Sequence, residues 1–142
     1  MKKILIINAN YYKEVSESLY MHAKKRLELN KFKSSIIHVP GTFEIPFTIR
    51  KFINKFDGFI AIGCVIKGET PHFDLICKST FDALMNLSIL YNKPIGNGII
   101  TCLNLKQALA RSSKYKKSSK KNKGIEAANA VISILKNEPK SI

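Results

Sequence analysis

The sequence predicts an α/β protein, a three-layer αβα sandwich built around a four-stranded parallel sheet. Short segments rich in isoleucine and valine alternate along the chain with longer segments whose apolar residues recur three and four positions apart. The short segments are nearly all apolar, as expected for strands buried on both faces. Strands that alternate with helices imply right-handed crossovers, and 142 residues at 45% hydrophobic content suffice for a single domain over residues 1–142.

The elements are predicted in the order βαβαβαβα with one extra helix, a small flavodoxin-like arrangement. The strands are predicted at Lys3–Ile7, Ser35–Val39, Phe59–Ile66 and Ile95–Thr101. Apolar stripes predict three helices, marked by Val15, Leu19, Ala23 and Leu27, by Cys77, Phe81, Leu84, Ser88 and Tyr91, and by Ile125, Ala128, Ile132 and Leu135. Residues Glu44–Phe56 are also predicted to be helical, with Pro46 tolerated in the first turn.

The formal net charge of +14 is compatible with an RNA-binding protein, which is the first alternative to an enzyme. Much of the excess lies in the lysine-rich segment Lys114–Lys123, which is predicted to be a solvated surface loop with weak, salt-sensitive affinity for nucleic acid. The sequence contains neither an RNP-type aromatic pair nor a GXXG loop, so no specific nucleic-acid partner is expected. A non-catalytic ligand-binding α/β module is the second alternative.

The cysteines and the N-terminus indicate a cytoplasmic protein. Cys64, Cys77 and Cys102 form no Cys-x-x-Cys pair and have no histidine at zinc-ligand spacing, so we expect reduced thiols and no metal site. The first apolar run stops at Asn8, too early for a signal peptide or a membrane span. It is therefore interpreted as a strand, and no membrane partner is expected.

The loop after the third strand superficially matches a phosphate-binding P-loop. Glu69 occupies the position where a P-loop needs lysine, and Gly63 lies inside the predicted strand rather than after it. Nucleoside triphosphate binding is therefore rejected. A tight turn at Gly68 leading into a helix could still hold a single phosphate on free backbone N–H groups.

Three histidines have different settings. His72 stands at this helix entrance, where an imidazole can exchange protons near neutral pH with a ligand at the strand ends. It is the candidate catalytic residue. His22 belongs to a helix and His38 lies within a strand, so both are predicted to be structural.

Two further strand-end loops carry candidate binding residues. In Val39–Pro46, Glu44 could simply favour the helix N-terminus while Phe43 packs as a staple, or Thr42, Phe43 and Glu44 could bind a polyol or heterocycle. After the first strand, residues 10–12 include two tyrosines able to stack on a flat ligand. Residues 8–10 contain no acid, which argues against a Mg²⁺-binding receiver domain.

Five segments in order along the chain resemble the lumazine synthase family. Val39–Pro46 resembles the family's V-P-G-[AST]-[FY]-E-[IL]-P loop, and Gly63–Phe73 resembles its G-x-V-I-[RK]-G-x-T-x-H-[FY] segment. Pro94–Ile99, followed by Gln107–Arg111, resembles the next strand and helix, and Asn122–Ala128 resembles the N-K-G-x-E-A-A helix start. The resemblance implies a cofactor-free condensation of a ribitylaminopyrimidine with a four-carbon sugar phosphate in riboflavin biosynthesis.

The same resemblance implies a role for each matched residue. His72 falls on the family's proton-transfer histidine, and Tyr11 on an aromatic residue that stacks on the pyrimidine. The ribityl chain and pyrimidine are expected to contact Thr42, Phe43, Glu44, Cys64, Val65 and Ile66. The sugar phosphate is expected to bind the backbone of Glu69 and Thr70 and the side chains of Arg111 and Lys123.

Two departures from the family pattern bear on binding and assembly. Asn97, expected to contact the pyrimidine from a neighbouring subunit, stands where many members place phenylalanine. The connection from Arg111 to Lys123 is longer than in most members, and a long connection resembles members that stop at a free pentamer. The resemblance thus implies a homo-oligomer with active sites between adjacent subunits.

Overall fold

The computed structural model describes residues 1–113 and 122–142, so most of the predicted Lys114–Lys123 loop lies outside the described residues. The strands are β1 (Lys3–Ala9), β2 (Lys33–Val39), β3 (Gly58–Ile66) and β4 (Ile95–Cys102). The helices are α1 (Lys13–Leu29), α2 (Ile45–Lys51), α3 (His72–Tyr91), α4 (Leu105–Arg111) and α5 (Lys123–Lys136). The predicted order and the extra helix, α4, are confirmed, and Lys123 begins a helix rather than ending a loop.

The four strands form one parallel sheet in the order β2-β1-β3-β4, as in flavodoxin-like folds. The chain runs outward from β1 to β2, then returns across β1 to β3 and continues to β4. The direction of winding therefore reverses between β1 and β3. In open parallel sheets a crevice forms at such a reversal, outside the carboxyl ends of the strands.

Helices cover both faces of this sheet, which confirms the three-layer prediction. Alternate residues of β1 point to opposite faces because successive side chains of a strand do so. Ile4 and Ile6 pack in the core beneath α1 and α5, and Leu5 and Ile7 pack in the core beneath α2 and α3. None of the helices in the described parts of the chain is both long and apolar enough to cross a membrane.

The prediction that all four strands are buried on both faces is wrong for β2. Only Val39 of this strand is buried, and Ile36 is 40% exposed. The reason is the strand order, which places β2 at the edge of the sheet with β1 as its single described neighbour. An apolar run cannot indicate whether its strand will be central or at an edge.

The predicted helix Glu44–Phe56 is shorter than expected. Residues Thr42–Glu44 form a 3₁₀ turn, and α2 ends at Lys51. Beyond Lys51 the backbone hydrogen bonds join residues three apart rather than four, since the Ile53 N–H donates to the Arg50 carbonyl. This turn brings Ile53 into the core, where it is 1% exposed. Pro46 does lie in the first turn of α2, as predicted.

Gly124, in the first turn of α5, sits where that helix approaches α1 most closely. A Cβ atom here would overlap the carbonyl oxygen of Leu19, which helix α1 holds in place. We expect Gly124→Ala to lower the free energy of unfolding by about 1–3 kcal/mol, because overpacking outweighs the gain in helix propensity. Gly68→Ala is the matched control, since a Cβ there meets nothing within 4 Å. Thermal unfolding measures both, and equal melting temperatures would contradict the close approach.

Candidate active site

The loops that leave the strands meet at the carboxyl edge of the sheet. The Asn10 N–H donates to the Val39 carbonyl at 3.1 Å, which ties the loop after β1 to the end of β2. The Lys67 N–H donates to the Cys102 carbonyl at 2.9 Å, which ties the end of β3 to the end of β4. Residues from all four loops are therefore presented along one edge, as expected for a parallel sheet.

The structure distinguishes the two tyrosines after β1. Tyr11 is 75% exposed, whereas Tyr12 packs against the core beneath α1 and α5. Burial raises the pKa of the Tyr12 hydroxyl, and nearby Tyr11, Cys64 and Cys102 raise it further. The two rings meet edge to face, with centroids 4.9 Å apart. Tyr12 thus supports the ring of Tyr11, and Tyr11 is the one available for stacking on a ligand.

The turn Thr42–Glu44 packs against β3 and α3 at the winding reversal. Thr42 is buried, and its hydroxyl lies so close to Gly63 that a Cβ on Gly63 would be 2.9 Å away. Phe43 is 68% exposed, so the interpretation of this residue as a hydrophobic staple is wrong. Glu44 is half-buried, and its carbonyl accepts a hydrogen bond from the Thr48 hydroxyl at 2.8 Å. This turn therefore carries an exposed aromatic ring next in sequence to a half-buried glutamate.

The last residues of β3 have their side chains turned into the protein. Cys64 lies in the core beneath α1 and α5, and Val65 in the core beneath α2 and α3, while Ile66 is half-buried. Burial raises the pKa of the Cys64 thiol to about 12, and nearby Cys102 adds to this. The thiol is therefore protonated near neutral pH and is not a nucleophile. The groups that this part of β3 has available for a ligand are therefore mainly its backbone N–H and C=O groups.

His72 begins α3, as predicted, directly after an exposed loop. Glu69 and Thr70 lie in that loop, and the His72 N–H donates to the Thr70 hydroxyl at 3.5 Å. The imidazole is exposed, and no side chain of residues 1–113 or 122–142 hydrogen bonds to it. By contrast, His22 is held by a 2.7 Å contact between its Nδ1 and the Ser18 carbonyl. The two ring nitrogens of His72 therefore have no hydrogen-bond partner among the described side chains.

Arg111 and Lys123 meet where α4 ends and α5 begins. Asn122 fixes this junction: its Oδ1 accepts from the Gly124 N–H at 2.9 Å, and its Nδ2 donates to the Ser113 carbonyl at 3.2 Å. Arg111 Nη2 and Lys123 Nζ lie 3.5 and 3.8 Å from the same Glu126 Oε2. At these separations the carboxylate holds both cations by charge, and their N–H groups stay available for an anion.

The sequence-based prediction missed Glu126. Its spacing of three residues from Lys123 at a helix start is the local signal for such a pair. That Arg111 of a different helix joins the same carboxylate is a tertiary contact without a local signal.

The predicted site residues fall into two groups. A cavity of about 120 Å³ along β4 brings together Asn97, Arg111 and Lys123, with the remaining lining from Phe81, Ile99, Ile100 and Thr101. None of the residues at the ends of β1, β2 and β3 lines it. A groove of about 630 Å³ between α1 and α4, which includes His22, contains no predicted site residue.

Within residues 1–113 and 122–142, no three His, Cys, Asp or Glu side chains are grouped so as to hold a metal ion. The described chemistry at the carboxyl edge is therefore an exposed imidazole, an exposed tyrosine ring, a carboxylate and a separate pair of cations. These groups suit a flat, hydroxylated ligand and a phosphate.

The chain is similar to known proteins along nearly its whole length. The family model described as 6,7-dimethyl-8-ribityllumazine synthase matches residues 1–138. A protein of that name from Methylorubrum populi is 38% identical over 140 residues, which cover 94% of this chain and 80% of that protein. The one from Bartonella bacilliformis is 41% identical over 137 residues, covering 93% and 87%. The one from Agrobacterium fabrum is 38% identical over 139 residues, covering 93% and 91%.

Proposed function

The chain belongs to the 6,7-dimethyl-8-ribityllumazine synthase family, and from this membership we propose that it condenses 5-amino-6-(D-ribitylamino)uracil with 3,4-dihydroxy-2-butanone 4-phosphate. The chain is thus a transferase of riboflavin biosynthesis, and the proposed reaction is its penultimate step, giving 6,7-dimethyl-8-ribityllumazine, phosphate and water. The observation that carries the proposal is the cavity that joins Arg111 and Lys123, since it offers a phosphate two cations.

The proposed mechanism needs no cofactor. The pyrimidine amine attacks the ketone carbon, and loss of water leaves a Schiff base. Phosphate is then eliminated, and ring closure with loss of water completes the lumazine. His72 moves protons between the amine, the carbinol oxygen and the leaving groups, as its exposed ring allows.

Each remaining site residue has a proposed binding role. Tyr11 stacks on the pyrimidine, and the Glu69 and Thr70 backbone binds phosphate together with Arg111 and Lys123. The ribityl chain and the ring edge contact Thr42, Phe43, Glu44, Cys64, Val65 and Ile66. Since the side chains of Cys64 and Val65 are buried, their part is played by backbone groups.

Positioning does most of the catalytic work in this proposal. Holding two reactants in register can lower the activation free energy by roughly 7–11 kcal/mol. One acid–base group lowers it by less, because it accelerates a reaction by only about 10²–10⁴-fold. His72 is therefore important for the rate without being indispensable.

The proposed assembly is a homopentamer whose active sites lie between adjacent subunits. The division of site residues into two groups supports this, because one chain's β4 cavity can complete a neighbour's crevice. Large apolar side chains on the outer faces of α2 and α3 are exposed in the single chain, among them Phe47, Leu75, Met85, Ile89 and Leu90. Such surfaces are usually covered by a partner.

A free pentamer, rather than a shell of pentamers, is expected in solution. At +14 per chain, a ring carries a large positive charge that opposes close packing of further rings. Light scattering at moderate salt measures the mass. A mass near five chains supports the assembly, a shell-sized mass overturns the free pentamer, and an active monomer overturns the shared site.

Incubation of the purified protein with both substrates tests the function, with lumazine fluorescence compared with the uncatalysed reaction. The expected result is a rate well above that control. Pyrimidine binding without turnover would favour a non-catalytic ligand-binding module, and tight, salt-resistant RNA binding would favour the nucleic-acid alternative. We place the protein in the cytoplasm, where the three free thiols would stay reduced.

A further inference from the structure

Asn97 lies on β4, the outer strand of the sheet, and its side chain has a fixed orientation. The Ile99 backbone N–H donates to Asn97 Oδ1 at 3.0 Å. A backbone N–H is only a donor, so the side-chain atom that meets it must be the amide oxygen. The Asn97 oxygen is therefore occupied, and the group that this residue has left to offer a ligand is its NH₂.

The cavity that Asn97 lines is consequently rich in donors. Arg111 and Lys123 are the other strongly polar residues in its lining, and neither guanidinium nor ammonium can accept a hydrogen bond. In the described parts of the chain, the buried Nε of Arg111 has no hydrogen-bond partner. Glu126 Oε2 is also buried without a hydrogen bond to a described residue, but it lies 3.5 Å from Nη2 of the guanidinium rather than beside Nε. Buried donors normally have a partner, so an acceptor is expected to arrive with the ligand.

The volume of the cavity can be compared with that of a phosphate group. Its volume of about 120 Å³ accommodates a phosphate group but is far below the roughly 300 Å³ or more typical of sites for drug-sized ligands. In the proposed assembly a neighbouring subunit completes the site, so this volume belongs to the part that one chain contributes. The donor-rich lining, rather than the volume, favours a phosphate here.

Building on the proposed function, we propose that Asn97 is a specificity residue for the sugar phosphate: its Nδ2 donates a hydrogen bond to a phosphate oxygen held by Arg111 and Lys123. This differs from the role that the family resemblance implied, which was contact with the pyrimidine. The amide adds a donor without adding charge, and its local bond to Ile99 holds it in place before the substrate binds.

Asn97→Asp is the sharpest test, because a carboxylate preserves the acceptor for Ile99 N–H while replacing the donor by a negative charge. We expect the KM for the sugar phosphate to rise about 10- to 100-fold, the cost of losing a hydrogen bond to a charged group. The KM for the pyrimidine should stay near that of the unmodified protein. Asn97→Ala removes the same donor without a new charge, so it should raise the sugar-phosphate KM toward the lower end of this range, and repulsion between the new carboxylate of Asn97→Asp and the phosphate accounts for the difference.

Asn54→Asp is the matched control, since it adds the same charge at an exposed turn after α2. Its KM values should not change. A pyrimidine KM raised as much as the sugar-phosphate KM, or no change in either, would overturn the proposal.

Titration with inorganic phosphate, followed by phosphorus NMR, separates this inference from the enzyme proposal. Saturable binding that weakens about 10- to 100-fold in Asn97→Asp, but not in Asn54→Asp, supports the donor role even if no lumazine forms. The donor role of Asn97 is overturned if the unmodified protein and both variants bind phosphate equally well. It is also overturned if the unmodified protein shows no saturable phosphate binding. Absence of lumazine formation alone would count against the proposed function.

Discussion

His72→Ala is expected to slow turnover by one to a few orders of magnitude, about the 10²–10⁴-fold range of a positioned acid–base group. The fold and the pyrimidine affinity should stay nearly intact, because the His72 ring is exposed and bonds to no described side chain. The substrate contacts proposed for Tyr11 and Thr42–Glu44 remain in the variant. Single-turnover fluorescence at saturating substrates measures the chemical step directly.

His22→Ala is the matched control for this change. It removes the same type of side chain from α1, where the ring contacts the Ser18 carbonyl and lines a separate groove. Its turnover should match that of the unmodified protein. A His72→Ala variant with an unchanged rate would return His72 to a structural or incidental role.

Arg111→Ala is expected to raise the KM for the sugar phosphate by about 10- to 100-fold, the cost of a lost charge-assisted hydrogen bond. The pyrimidine KM should change far less. Removing the guanidinium also leaves Glu126 with Lys123 as its remaining described cation, so the cavity loses positive charge where the phosphate is proposed to bind. Arg111→Lys should recover only part of the affinity, since lysine lacks the planar fork that suits a phosphate.

Steady-state kinetics with each substrate varied in turn measure these effects. Arg26→Ala is the control, because it removes an arginine from the last turn of α1, at the opposite edge of the sheet from the strand carboxyl ends. Equal losses of affinity for both substrates in Arg111→Ala would argue against a phosphate role.

Much of the architecture follows from local pattern. The runs Lys3–Ile7 and Phe59–Ile66 became strands because apolar β-branched residues over a short length have few other ways to be buried. The loop after β3 predicted a helix entrance at His72, and α3 does begin there. These features depend on neighbours within a few residues, which is the range over which a sequence pattern carries information.

The sequence by itself determined the α/β class, the element order and which loops follow the strands, because short apolar runs and the helical period of 3.6 residues are local patterns. Only the tertiary structure decided that β2 is an edge strand, that Tyr12 turns inward while Tyr11 stays exposed, and that Asn97 shares a cavity with Arg111 and Lys123. These outcomes depend on which elements pack side by side. Residues distant in the chain become neighbours through that packing, and no local pattern encodes it.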